Sequence, residues 1–173
     1  MAQRKYLEKS LKYFTVIFGL GVLYILIDFA VDLRPASVHS SYRFTLDDLR
    51  PDQARILRQD NLSILVIRRS TETIAQLEQP VVELQDPESL RSKQPGFAKH
   101  PLRSKYAEYF VSYAIGTDLG CPLAVLENRL TETCGNAAYD FAGRALRGDN
   151  EFQNLAIPDY NFSDEFNRLT INP

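Results

Sequence analysis

Residues 13 to 31, YFTVIFGLGVLYILIDFAV, form a run of 19 positions with one charged side chain, Asp28. Wound as a helix at about 1.5 Å per residue, the run is roughly 28 Å long, close to the roughly 30 Å hydrocarbon core of a bilayer. It is long enough to cross a membrane once. Arg4, Lys5, Lys9 and Lys12 precede it against Glu8, while Asp28 and Asp32 mark its far end. Basic residues are retained on the cytoplasmic side, so residues 1–12 are expected inside, 13–32 in the membrane and the remainder exported. A cleaved signal peptide shares the basic start and apolar run. This run exceeds the usual signal core, which favours an anchor. Gly19 and Gly21 permit close approach of another helix, and Asp28 reads as an interfacial cap.

A length of 173 residues allows one domain plus an attachment. Twenty Lys+Arg against 22 Asp+Glu leave a net charge of -2, without the basic excess that neutralises phosphates, so nucleic acid is not an expected partner. The 45% of hydrophobic residues can bury enough surface to offset chain entropy, which excludes general disorder. The two Cys and two His cannot by themselves supply four soft ligands to a metal.

Beyond the run, LRPASVHSSYR (33–43) has no apolar periodicity and reads as a tether, with His39 solvated and without a role. FTLDDL (44–49), ARILRQ (54–59) and SILVIRRS (63–70) are β-favouring segments separated by turn residues, which predicts antiparallel strands. TETIAQLE (71–78) predicts a short helix opened by a Ser or Thr cap. An irregular insertion is expected over about 79–107, where prolines stand at 80, 87, 95 and 101. EYFVSYAIG (108–116) resumes strand character, and RLTETCG, AYDFAGRAL, NLAIP and RLTI (168–171) continue it toward the end. The expected domain is thus mainly β and antiparallel over 44–173, with no internal repeat.

Cys121 and Cys134 stand 13 positions apart in the segment placed outside the cytoplasm. An oxidising compartment and an even count favour a disulfide, contributing about 3 kcal/mol on a chain-entropy estimate. A reactive dithiol pair is the alternative, although nothing nearby would lower a thiol pKa.

GTDLGC (116–121) followed by TCGNAAYDFAGRALRG (133–148) resembles the two cluster-binding boxes of Rieske iron-sulfur proteins, Cys-Thr-His-Leu-Gly-Cys and Cys-Pro-Cys-His-Gly-Ser-x-Tyr-Asp. NLAIPDYNF (154–162) is similar to the strand that follows. DPESLRSKQPGFAKHPLRSKYAEYFV (86–111) is similar to an insertion typical of the Rieske subunit of quinol:cytochrome c reductases, the cytochrome bc complexes. The resemblance implies a β-sandwich carried on one amino-terminal anchor and a tether, in a bacterial-type inner membrane or equivalent energy-transducing membrane, with the domain periplasmic.

The departures from that pattern bear on chemistry. In the family, two thiolates hold one iron of a [2Fe-2S] cluster and two imidazoles hold the other. The corresponding positions here are Gly116, Asp118, Glu132 and Gly135, two residues without a side chain and two with hard carboxylates. The family's bracing disulfide corresponds to Cys121 and Cys134. Ala137 replaces a serine that bonds a cluster sulfide in high-potential members, and GDNEFQN (148–154) replaces a proline-rich covering loop. Tyr139 and Asp140 match the family, and a buried tyrosine needs only a hydrogen-bond partner and a core to pack. Asp118 and Glu132 are expected to be solvated polar replacements at the domain's tip, a cation site being the lesser alternative because no third ligand is adjacent.

In a quinol-oxidising member, a ligating histidine takes the quinol proton while the cluster takes the electron. Without imidazoles at 118 and 135 neither transfer is expected here, so no cluster, no metal and no catalytic residue is assigned. The expectation is a membrane-anchored, cluster-free accessory subunit docking on a respiratory complex, with cytochrome b, cytochrome c1, the authentic Rieske subunit and the lipid bilayer as partners. An assembly factor is a variant of the same reading. The alternatives are an electron-transfer subunit with unusual cluster ligation, and a disulfide-exchange protein using Cys121 and Cys134.

Overall fold

A computed structural model describes residues 2–32, 41–46, 49–92 and 94–172, with no account of the side chains of 2–5 and 31–32. The chain divides into two units, 1–38 and 39–173. His39 and most of the stretch expected as a tether lie outside the described residues.

The first unit is one helix, α1 (Ala2–Asp32). Its section Tyr6–Ala30 contains an 18-residue window with a mean hydropathy of 2.0, with every described side chain exposed, so it is long and apolar enough to cross a membrane. The Thr15 hydroxyl donates to the Leu11 carbonyl at 2.9 Å, which satisfies the polar group within the helix.

The second unit is built from β1 (Tyr42–Thr45), β2 (Gln53–Gln59), β3 (Leu62–Arg68), α2 (Thr71–Glu78), β4 (Tyr109–Tyr113), β5 (Leu123–Leu126), β6 (Arg129–Glu132), β7 (Ala138–Tyr139), β8 (Asp159–Ser163) and β9 (Arg168–Asn172). Every strand pair is antiparallel, in three sheets of order β1-β9-β8, β2-β3-β4 and β5-β6-β7. The mainly β, antiparallel expectation holds. The first strand begins at Tyr42 rather than Phe44, inside the expected tether, because Tyr42 pairs with Ile171 of β9. In β5 the residues Val125 and Leu126 are exposed, so the segment lacks the alternation that marks a strand, and it was not expected from the sequence.

β3 lies between β2 and β4, and Ile64 to Ile67 are fully buried. Its continuous apolar run follows from coverage on both faces, and each such side chain contributes about 1.5–3 kcal/mol on burial. Ser70 caps α2, its hydroxyl accepting the Thr73 amide at 3.1 Å, as a polar residue at that position predicts.

Among its described residues the stretch 79–107 holds no strand, only the isolated bridges Leu84–Leu146 and Tyr106–Tyr109, and it is fastened to the domain by two buried arginines, Arg103 within it and Arg69 ahead of it. Arg103 is fully buried and donates to the carbonyls of Ala142, Gly143 and Leu155 and to Gln94 Oε1. Arg69 donates to the carbonyls of Leu102, Tyr106 and Ala107 and to Ser104 Oγ. Loss of hydration pulls both guanidinium groups down to about 10, which leaves them charged at neutral pH.

Candidate functional site

Two loops converge at one end of the β5-β6-β7 sheet. The first, 116–121, connects β4 to β5 and is closed by the Gly116 amide donating to the Cys121 carbonyl at 2.9 Å, with Ile115 bridging to Pro122 behind it. Gly120 turns this loop at φ +75°, a conformation that disfavours any Cβ. The second loop, 133–137, connects β6 to β7 and is closed by the Glu132 amide donating to the Ala137 carbonyl at 3.0 Å. The register Leu123↔Glu132 sets the end of β6 beside the start of β5, and the Thr133 amide donates to the Pro122 carbonyl. Each loop therefore lies against the other, and Cys121 and Cys134 join them as a disulfide with Cα atoms 5.9 Å apart. Cys134 is exposed and Cys121 half-buried.

Glu132 is 4% exposed, and its carboxylate points across into the first loop. Oε1 accepts the amides of Leu119 at 2.9 Å and Cys121 at 2.7 Å, and Oε2 accepts the amide of Asp118 at 3.0 Å. Burial alone would raise its pKa, but donation from the amides of Cys121, Asp118, Leu119 and Gly120 outweighs this and holds the carboxyl below its ordinary range. Asp118 does the reverse: half-buried in the first loop, its Oδ2 accepts the Asn136 amide of the second at 2.9 Å. The expectation of a solvated polar replacement is corrected for Glu132, which is buried, while Asp118 stays half-exposed with one amide bonded to it. A tip loop exposes unpaired amides, and one carboxylate satisfies several at once, so Glu132 turns inward.

The two glycines complete the arrangement. A Cβ built on Gly116 would collide with Glu132 Oε2 and Cδ and lie 2.7 Å from Cγ, and a Cβ on Gly135 would lie 2.7 Å from Asp118 Oδ2. Neither glycine has a positive φ, so space rather than backbone conformation excludes a side chain. Positions 116 and 132 are one of the ligand pairs of the Rieske pattern, and 118 and 135 are the other.

A [2Fe-2S] cluster does not fit this donor set. The four positions offer no thiolate and no imidazole, and both carboxylates are already committed to backbone amides. Cys121 Sγ, Cys134 Sγ and a Glu132 oxygen lie within 4.8 Å of one another, but the two sulfurs are bonded to each other and give no thiolate ligand.

Behind the tip, Tyr139 is fully buried and bonded through its hydroxyl to Thr117. Asp140 accepts the amides of Ala142 and Arg144, each at 2.9 Å, and the Arg144 Nε at 2.7 Å, which folds residues 140–144 into a tight turn. Gly143 has φ +66°, and a Cβ there would lie 2.5 Å from Phe110 Cζ. Thr117, Arg144, Arg69 and Arg103 carry much of this framework, and sequence reasoning missed them. The signal for Arg144 was available, since a carboxylate and an arginine at i,i+4 around a glycine suit an ion-paired turn.

No protein-family model matches the chain. Over 160 residues, covering 83% of this chain and 77% of the other, it is 25% identical to the ubiquinol-cytochrome c reductase iron-sulfur subunit of Allochromatium vinosum. Among solved structures it is similar to a chain of a hyperthermophilic respiratory Complex III, with a TM-score of 0.49 and 18% identity, covering 92% of this chain and 96% of that one.

Proposed function

We propose that this chain is a membrane-anchored, cluster-free, Rieske-like subunit of a respiratory complex, docked on a quinol:cytochrome c reductase of the cytochrome bc type or on a supercomplex that contains one. The observation that carries the reading is the filling of both ligand pairs: at 116/132 and at 118/135 a carboxylate on one loop occupies the space denied to a side chain on the other. Such a tip binds no iron and passes no electron. What it retains is a helix fit for anchoring, a fastened insertion, a bridging disulfide and a two-loop tip on which Leu119 is 66% exposed.

The similarity to an iron-sulfur subunit supports the choice of host complex. The basic residues ahead of the apolar run support a cytoplasmic amino terminus, and the disulfide supports a periplasmic domain. Helix and domain each offer contact surface to a neighbour such as cytochrome b, cytochrome c1 or the authentic Rieske subunit. Purification of the native membrane complex in mild detergent, followed by mass spectrometry, tests this. Stoichiometric recovery with the subunits of a bc-type complex is expected, and recovery of the chain alone overturns the proposal.

A further inference from the structure

We infer that Asp118 and Glu132 replace a metal centre as the cross-link between the two loops, and that they do so as two separate locks, Glu132 with Gly116 and Asp118 with Gly135. This concerns how the tip holds together and stands whichever complex the chain joins.

The geometry gives each lock two parts. One is a set of hydrogen bonds from a carboxylate to the opposite loop: three amides for Glu132 and one for Asp118. The other is a volume that must stay empty of any Cβ, at Gly116 for Glu132 and at Gly135 for Asp118. An exposed glutamate would swing aside from an added methyl group. Glu132 cannot do so cheaply, because it is buried and because its Cγ and Cδ, not only its terminal oxygens, fill the space. The Asp118 lock is looser, since only the terminal Oδ2 lies under 3.0 Å, with Cβ and Cγ at 3.2 Å, and the residue is half-exposed. A side chain at 116 therefore costs less once residue 132 has been shortened, and one at 135 less once residue 118 has been shortened.

Double-mutant cycles on the full-length chain in detergent test the pairing, read by thermal unfolding and by deuterium exchange of peptides covering 116–121 and 132–137. Gly116→Ala is expected to lower Tm by roughly 5 °C in the native background and by less than half as much with Glu132→Ala already present. Gly135→Ala should behave likewise, more mildly, toward Asp118→Ala. The crossed combinations, Gly116→Ala with Asp118→Ala and Gly135→Ala with Glu132→Ala, should couple less than the matched ones, the residual coupling running through the Asp118 amide that Glu132 accepts. Equal losses at Gly116 with and without Glu132, or crossed pairs that couple as strongly as the matched ones, overturn the inference. If the chains altered at Gly116 or Glu132 do not fold, the milder Asp118–Gly135 cycle decides on the same criteria.

Discussion

The Tyr139 hydroxyl accepts the Thr117 amide at 2.7 Å and lies 2.8 Å from the Thr117 hydroxyl, which itself donates to the Gln153 carbonyl at 2.7 Å. With the threonine proton given to Gln153, the phenol donates to Thr117 Oγ1. The pair thus closes a continuous chain from β7 through the first tip loop to the segment preceding β8. Removing the hydroxyl by Tyr139→Phe strands the Thr117 amide, and a loss of about 1–3 kcal/mol is expected in denaturant unfolding, with faster deuterium exchange at 116–121. Burial raises the Tyr139 pKa above its ordinary value of 10.0, so this contribution is complete below that value and fades as pH rises through the folded one. Phenolate absorbance in alkali should show late-ionising tyrosines, Tyr160 among them at about 12.

Glu132 gives the opposite sign. Its folded pKa is lower than the ordinary value of 4.5, so the stability it adds is fully present above that value and is lost as pH falls through the folded one. Glu132→Gln keeps the size of the side chain but presents an NH2 group to donors, and it should cost about 1–3 kcal/mol at neutral pH. Unfolding measured from pH 7 downward should show the gap between native and variant chains narrowing below the ordinary glutamate range. A gap that does not depend on pH contradicts an ionised role.

The disulfide joins the same loops covalently. Cys121→Ser with Cys134→Ser, or full reduction, is expected to remove about 3 kcal/mol, measured as a fall in Tm and as earlier proteolysis between 116 and 137. Because Glu132 and Asp118 hold the loops independently, the reduced domain should stay folded. Collapse of all tertiary signal on reduction would contradict that division of labour.

Arg103 fastens the insertion through three carbonyls and one side-chain amide. Arg103→Met keeps the aliphatic stem and abandons the buried acceptors, for an expected loss of about 3 kcal/mol or more. Limited proteolysis should then cut within 79–107 before it cuts the sheets.

What the sequence made legible divides along physical lines. The apolar helix α1, β3 and the capped α2 were readable because hydropathy, β-branched residues and a polar cap act within one segment. The identities at 116, 118, 132 and 135 are sequence by definition, but their pairing in space, 116 with 132 and 118 with 135, appears only in the fold. The inward turn of Glu132 was not readable either, because it depends on amides of a loop 11 to 14 residues away, aimed by a register that only the folded sheet fixes. The roles of Arg69 and Arg103 were hidden for a related reason. Arg103 stands in a proline-broken stretch and Arg69 at the end of a strand segment, places where a charge reads as solvated, and only tertiary contact shows the carbonyls that take it in.

Iron and acid-labile sulfide, quantified per chain on protein purified from its native membrane, with paramagnetic resonance of the dithionite-reduced sample, test the central claim most directly. With both ligand pairs filled by carboxylates, iron and sulfide should each be far below one per chain, with no reduced-cluster signal attributable to it. Two irons and two sulfides per chain, cycling reversibly by one electron, would contradict the account.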